Sequence, residues 1–304
     1  MLEVIVFEPR PESAAFDVAD LRAKLQERPE CAPDPHDPDT LLVDLDVLGF
    51  FPEQRQVWDA FLRRPHGIVL LTGPTGSGKT TTLYSSLKAL AGPEVNITTI
   101  EDPIEMITEA FNQVQVDPRV EVTFSSALRT VLRQDPDIIM VGEIRDFETA
   151  EIAVKAALTG HMVLSTLHTN DVPSTFVRLV DMGVEPYLVN AAVEGISAQR
   201  LLRRLCPGCH NRDDQREACA TCAGIGYRGR VAVMEFAGVT PRVKRIMLEG
   251  AEEHRLRDAL QASGYVPMRT EAARLIADHI TDEAEVARVL GAHVTDLPDA
   301  RGDA

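Results

Sequence analysis

Aromatic side chains are scarce in this chain of 304 residues, making up 5% of it with a single tryptophan. That scarcity argues against a surface that stacks bases on exposed rings. Positive charge is also short. A formal net charge of −16 argues against a protein that grips nucleic acid through a broad basic face, although a local basic groove stays possible. No run of about 18 apolar residues occurs, so no segment reads as a membrane-spanning helix. The opening residues, Met-Leu-Glu-Val-Ile-Val-Phe-Glu, carry acid where a secretory leader would carry base, and the expected compartment is the cytoplasm. Cysteine is limited to five residues, four of them in two close pairs, a pattern that favours metal ligation over disulfides. The remaining composition, 44% hydrophobic and 26% charged, is that of an ordinary globular protein with one large core or two smaller ones.

The most specific feature present is Gly73-Pro74-Thr75-Gly76-Ser77-Gly78-Lys79-Thr80, entered from the apolar stretch 67–72. A glycine-rich turn between a buried strand and a helix aims several backbone N–H groups at one point, at the positive end of the helix dipole. Lys79 can reach the β- and γ-phosphates of a nucleotide, and the Thr80 hydroxyl can sit on a magnesium ion. A chance glycine-rich turn would lack the two flanking elements. The expected ligand is a nucleoside triphosphate.

The first fifty residues carry twelve acids against four bases, and Pro29, Pro33, Pro35 and Pro38 interrupt residues 29–40. Residues 1–40 are expected to form an acidic, proline-rich arm, with a short exposed helix over 17–28 and Cys31 idle beside it. From residue 41 the apolar spacing turns regular. It predicts helices over 52–64, 79–91, 124–132 and 147–158, and strands over 67–72, 95–101, 137–141 and 162–166. Strands alternating with helices imply an α/β fold with a mostly parallel sheet covered on both faces, and ligands at the carboxyl ends of its strands. This core is expected over 41–200, a four-cysteine module over 201–236, and a C-terminal helical region over 237–304. Helices are predicted there at 254–263, 268–278 and 282–290, with the last ten residues frayed. There is no internal repeat at a solenoid period.

Three predicted strand exits carry polar chemistry. At the first, Glu101-Asp102-Pro103-Ile104-Glu105, the proline keeps Asp102 out of helical dihedrals. A carboxylate there would order the water that attacks a γ-phosphate. At the second, Asp137 and Glu143 bracket an apolar run; six residues of strand separate them by roughly 20 Å, so only Glu143 can stand beside the phosphates. Glu143 is assigned to magnesium, directly or through a water, and Asp137 to a structural role at the far end. At the third, His161 precedes a short strand and His168 follows it among Ser165, Thr166, Thr169 and Asn170. His168 is the candidate phosphate sensor. A separate constellation, Cys206-Pro-Gly-Cys209 and, nine residues on, Cys219-Ala-Thr-Cys222, has the spacing of two knuckles that give four thiolates to one tetrahedral zinc. His210 could compete as a ligand, but four cysteines already close the site.

In this order, residues 67–83, 97–105, 132–146, 159–171 and 199–230 resemble the ATPases that power type II secretion and type IV pilus assembly. The resemblance covers about residues 41–291. It implies a RecA-like P-loop NTPase core followed by a small zinc knuckle and a C-terminal helical region. Carried over by position, Gly73, Gly76, Gly78, Lys79, Thr80 and Thr81 bind phosphates and magnesium, with Pro74, Thr75 and Ser77 completing the loop. Glu101 matches the family's acidic-box carboxylate, associated with water activation, Glu143 its Walker B acid, and His161 and His168 its histidine box. The implied cofactors are ATP, Mg2+ and Zn2+. The implied assembly is a hexameric ring at the cytoplasmic face of the inner membrane, coupling hydrolysis to a platform protein that assembles pilin-like subunits. It binds no nucleic acid and meets the membrane through partners. Members carry a substantial domain before the core, whose arginines help complete the nucleotide site; here only about forty residues stand in its place, and neither Arg10 nor Arg22 can be singled out as a substitute. Three alternatives follow: a weakly hydrolysing ATP-binding member, a nucleic-acid translocase on the same core, and a pilus-retraction motor, which the four cysteines argue against.

Overall fold

A computed structural model describes residues 43–291. The expected acidic arm with Arg10, Arg22 and Cys31, and the expected frayed tail, lie outside these residues.

One sheet of seven strands organises the chain: β1 (Gly67–Thr72), β2 (Ile97–Glu101), β3 (Asn112–Gln115), β4 (Ile138–Val141), β5 (Met162–Leu167), β6 (Val193–Leu205) and β7 (Tyr227–Gly238). Their order across the sheet is β3-β2-β4-β5-β1-β6-β7. Every pairing is parallel except β6 with β7. The helices are α1 (Pro52–Leu62), α2 (Lys79–Leu90), α3 (Phe124–Val131), α4 (Phe147–Leu158), α5 (Val172–Asp181), α6 (Pro186–Ala192), the single turn α7 (Asp213–Arg216), and then α8 (Pro241–Leu248), α9 (Glu253–Gln261), α10 (Met268–Ala277) and α11 (Glu283–Leu290). The α/β class and the mostly parallel sheet are those the sequence implies.

Strand period explains why β1 is apolar throughout. Ile68 and Leu70 point into one core, with residues of α3, α4 and α5, whereas Val69 and Leu71 point into the other, with α1 and α2. The second core is closed by Trp58, fully buried between Phe50 and Phe236, its indole N–H donating to Ser86 Oγ at 3.0 Å. Helices begin where strands end because the connecting turns supply caps. Asp146 accepts from Thr149 N at 2.8 Å to start α4, and Asp171 accepts from Ser174 N at 2.9 Å to start α5. Two acids near strand exits are thereby engaged in capping.

The long β6–β7 hairpin, the edge strand β3 and the helices α5 and α6 are additions to the sequence reading. Residue 200, where that reading divides core from cysteine module, lies within β6. Periodicity misses β6 because it is buried on both faces over 195–200 and those faces include polar Ser197, Gln199 and Arg200. Gln199 and Arg200 are satisfied by partners that a sequence pattern does not display.

Candidate functional site: a cleft at the strand exits

The sheet order sets β5 between β1 and β4, so three exits converge on one cleft of about 350 Å³. It is lined by the loop 75–81, Glu101, Asp102, Glu105, Gly142, Glu143, Thr166, His168 and Arg230. Hydroxyl side chains stitch the exits together. Thr72 Oγ1 donates to Leu167 O at 2.9 Å and accepts from Thr169 N at 2.9 Å, while Thr166 Oγ1 donates to Gly142 O at 2.7 Å. Local movement of one exit therefore disturbs its neighbours.

The glycine-rich loop wraps the N-terminus of α2 as expected for an anion cradle. Gly78, the residue before α2, has φ +86, in the left-handed region that favours glycine. A Cβ there would also stand 2.8 Å from Gln199 Nε2. Gln199 belongs to β6 and clamps the loop from behind: Nε2 donates to Ser77 O at 2.9 Å, and Oε1 accepts from Thr82 Oγ1 at 2.9 Å. Nothing in the sequence around Gln199 advertises this role. Lys79 Nζ donates to Gly73 O at 2.8 Å and Pro74 O at 3.1 Å. Burial lowers the Lys79 pKa, against the opposing pull of Glu143 and Glu105.

Glu101 and Glu105, two of the three acids of the first exit, have different surroundings. Glu101 is 4% exposed, and its carboxylate accepts from Tyr84 Oη at 2.6 Å, Thr99 Oγ1 at 2.5 Å and Gln113 Nε2 at 3.2 Å. Burial, and then the bond to Glu101, drives the Tyr84 phenol far above its ordinary pKa, so the hydroxyl is a fixed donor. Glu105 is exposed, and accepts from Thr80 Oγ1 at 3.3 Å. Of the two, Glu105 is the one beside the hydroxyl expected to meet magnesium.

At the second exit, Glu143 is paired with Arg145 and meets His168 Nε2 at 3.0 Å. Arg145 also lies 3.7 Å from Asp102, and its pKa is raised, first by the bond to Glu143. The third exit thus brings His168 to Glu143, and the structure joins the two across β4 and β5. His161 and Asp137 lie at the other end of the sheet. His161 Nδ1 is 3.0 Å from Ala156 O, and Asp137 Oδ2 accepts from Asn96 N at 2.7 Å. Arg230, exposed on β7, lines the cleft from the β6–β7 side. Sequence reading passes over it because β7 as a whole is missed.

The cysteines sit at the tip of the β6–β7 hairpin. All four Sγ atoms lie within 4.8 Å of one another, with Cys206–Cys219 at 3.7 Å and Cys209–Cys222 at 3.6 Å. Zinc–sulfur bonds of about 2.3 Å in a tetrahedron put sulfurs about 3.8 Å apart. A disulfide would need about 2.05 Å. Backbone N–H groups of Gly208 and Gly226 donate to Cys206 Sγ and Cys222 Sγ at 3.4 and 3.2 Å, as thiolate acceptors require. The quartet could hold one metal ion. Behind it, Asn211 and Tyr227 bond Asp282, and Arg203 bonds Glu285, latching the hairpin to α11.

A family model described as "Type II/IV secretion system protein" matches residues 36–288. The type IV pilus assembly ATPase TfpB of Acinetobacter baylyi is 46% identical over 267 residues, which are 81% of this chain and 46% of that protein. The type II secretion system protein HxcR of Pseudomonas aeruginosa is 50% identical over 240 residues, 78% of this chain and 51% of its own. The chain thus spans about half the length of the curated relatives it matches. Among solved structures, the pilus retraction motor PilT with bound ADP matches with a TM-score of 0.65 and 29% identity, over 81% of this chain and 66% of PilT. The Legionella pneumophila ATPase DotB matches with a TM-score of 0.63 and 28% identity, over 80% of this chain and 64% of DotB.

Proposed function

Because this chain belongs to the type II/IV secretion system protein family, we propose that it binds and hydrolyses ATP as the motor part of a type II secretion or type IV pilus assembly system. The observation that carries the reading is the convergence of loop 75–81, Glu105, Glu143 and His168 on one cleft. The match to a retraction motor with bound ADP supports a nucleotide as the occupant.

In this mechanism the loop N–H groups and Lys79 hold the β- and γ-phosphates. Thr80 and Glu143 are the residues to hold magnesium, which when bound supplies charge neutralisation between the phosphates. Glu105 orients the attacking water and takes its proton. Glu101, expected from the sequence to do this, is occupied with three neutral donors and keeps the β2 exit in place. His168, on Glu143, responds to loss of the γ-phosphate, and Arg230 offers a positive charge from β7. Four thiolates of Cys206, Cys209, Cys219 and Cys222 hold zinc, which when bound folds the hairpin tip too small for a core of its own.

The working unit in this reading is a hexameric ring at the cytoplasmic face of the inner membrane, acting on a platform protein that assembles pilin-like subunits. Family membership supports both statements. No helix among the described residues is long and apolar enough to cross a membrane, which agrees with attachment through partners. The test is ATP turnover of the purified chain against Lys79→Ala, with particle size measured with and without ATP and magnesium. A wild-type rate no higher than that of Lys79→Ala would sink the motor reading for this chain.

A further inference from the structure

We propose that Arg200 is a positioning residue for the triphosphate, tying the β6 backbone behind the phosphate loop to the loop after β5; this rests on the nucleotide reading above. Arg200 is 9% exposed on β6. Its Nη1 donates to Gln199 O at 3.0 Å, and its Nη2 donates to Asn170 O at 3.0 Å and Asn170 Oδ1 at 3.3 Å. All of these acceptors are neutral. Glu235 and Asp171 offset its charge only at longer range. A buried cation without a close carboxylate is costly, and a neutral side chain of similar length would fill the same space. An arginine buried here calls for a use of the charge or of the planar fork.

Both uses are visible in the surroundings. A Cβ on Gly73 would lie 3.1 Å from Arg200 Nη1, and Lys79 Nζ donates to the carbonyl of that same glycine. Two cations therefore flank Gly73, and Arg200 opposes the protonation of Lys79. Phosphate anions entering the loop relieve that repulsion, so the arrangement favours the more highly charged nucleotide. The fork then carries the effect onward. Asn170 lies two residues past His168, which bonds Glu143. Downstream the loop is anchored, since Val172 N donates to the buried Glu235 at 2.8 Å. Arg200 thus joins β6, behind the phosphate loop, to the histidine loop, beside the direct bond from Thr169 N to Thr72 Oγ1. Lysine would keep the charge but, as a single-point donor, could not hold Gln199 and Asn170 carbonyls in one plane.

The experiment compares wild type, Arg200→Lys and Arg200→Met as full chains. Affinities for ADP and for the β,γ-imido analogue of ATP are measured with magnesium, alongside thermal unfolding. Both variants are expected to keep ADP affinity within about twofold and to lose about tenfold of the preference for the triphosphate, the scale of one hydrogen bond to a charged group. Preference retained by Arg200→Lys or Arg200→Met would overturn the proposal. So would a joint fall of both affinities with the unfolding midpoint, the mark of a merely structural role, or a wild type with no preference at all. If neither variant folds, Asn170→Gly, at an exposed position, carries the test: it removes the 3.3 Å bond and leaves the carbonyl on a freer backbone, so a partial loss of about threefold in preference is expected, and an unchanged preference overturns the proposal. A wild type that binds neither nucleotide sinks the nucleotide reading and this proposal together; intact binding with unchanged preference sinks this proposal alone.

Discussion

Replacing Glu285 with glutamine should expose how firmly the C-terminal helices are built into the sheet that carries the phosphate loop. Glu285 opens α11, and its side chain is fully buried. One oxygen accepts from Arg203 N at 2.9 Å and Arg288 Nη2 at 2.6 Å; the other accepts from Arg203 Nε at 2.8 Å and Arg288 Nε at 2.7 Å. Burial by itself would raise its pKa, but the bonds from Arg288 and Arg203 outweigh that and hold it at about 2. A carboxyl held at about 2 against an ordinary 4.5 contributes about 3 kcal/mol of stability at neutral pH. In Glu285→Gln an amide N–H2 faces guanidinium donors, so the loss should be of that size. It should stay below the roughly 3–5 kcal/mol of a fully buried broken pair, because both arginines are partly exposed and can rehydrate. For a chain of this size the midpoint should fall by roughly 6–12 °C. The sign with pH is fixed by the depressed pKa. The contribution is complete above about pH 5 and is lost as pH falls through about 2, so about two fifths of the gap should remain at pH 3. Chemical denaturation of both proteins at pH 7 and pH 3 measures it. A gap below about 1 kcal/mol at pH 7, or one that does not shrink at pH 3, would refute the reasoning.

Glu105→Gln should lower ATP turnover about a hundredfold or more with nucleotide affinity retained, whereas Glu101→Gln should act mainly through stability and the position of the β2 exit. Full turnover in Glu105→Gln, read by phosphate release, would return the base to Glu101. Metal analysis of reduced protein should find one zinc per chain, and Cys219→Ser should weaken its retention and lower the unfolding midpoint; zinc-free protein of unchanged stability would remove the assignment. Gly78→Ala should weaken nucleotide binding at least about tenfold in titration, because the added methyl meets Gln199 Nε2 and the left-handed φ costs roughly 1–2 kcal/mol.

Local chemistry is what the sequence discloses best. The loop 73–80 is legible because its glycines, lysine and threonine must be contiguous to surround one phosphate. Strand β1 is legible because a strand buried on both faces has to be apolar throughout. Cys206, Cys209, Cys219 and Cys222 are legible as a set because knuckle geometry is local. The distinction between Glu101 and Glu105 is not. Both belong to one short acidic motif, and only the packing of Tyr84, Thr99 and Gln113 around one of them separates a buried acceptor from an exposed acid.

By itself, then, the sequence determined a phosphate loop, the α/β alternation around it and a four-thiolate cluster, each resting on contacts between near neighbours in the chain. The tertiary structure alone decided the sheet order that sets His168 against Glu143. It also decided the β6–β7 hairpin that sets Gln199 and Arg200 behind the phosphate loop and Arg230 at the cleft. Those residues come from beyond residue 160 to a loop at residue 73, and no periodicity records a partner so far away. Hydrogen bonds and charges act through distance in space, so their pairing becomes visible only after the sheet has brought the strands together.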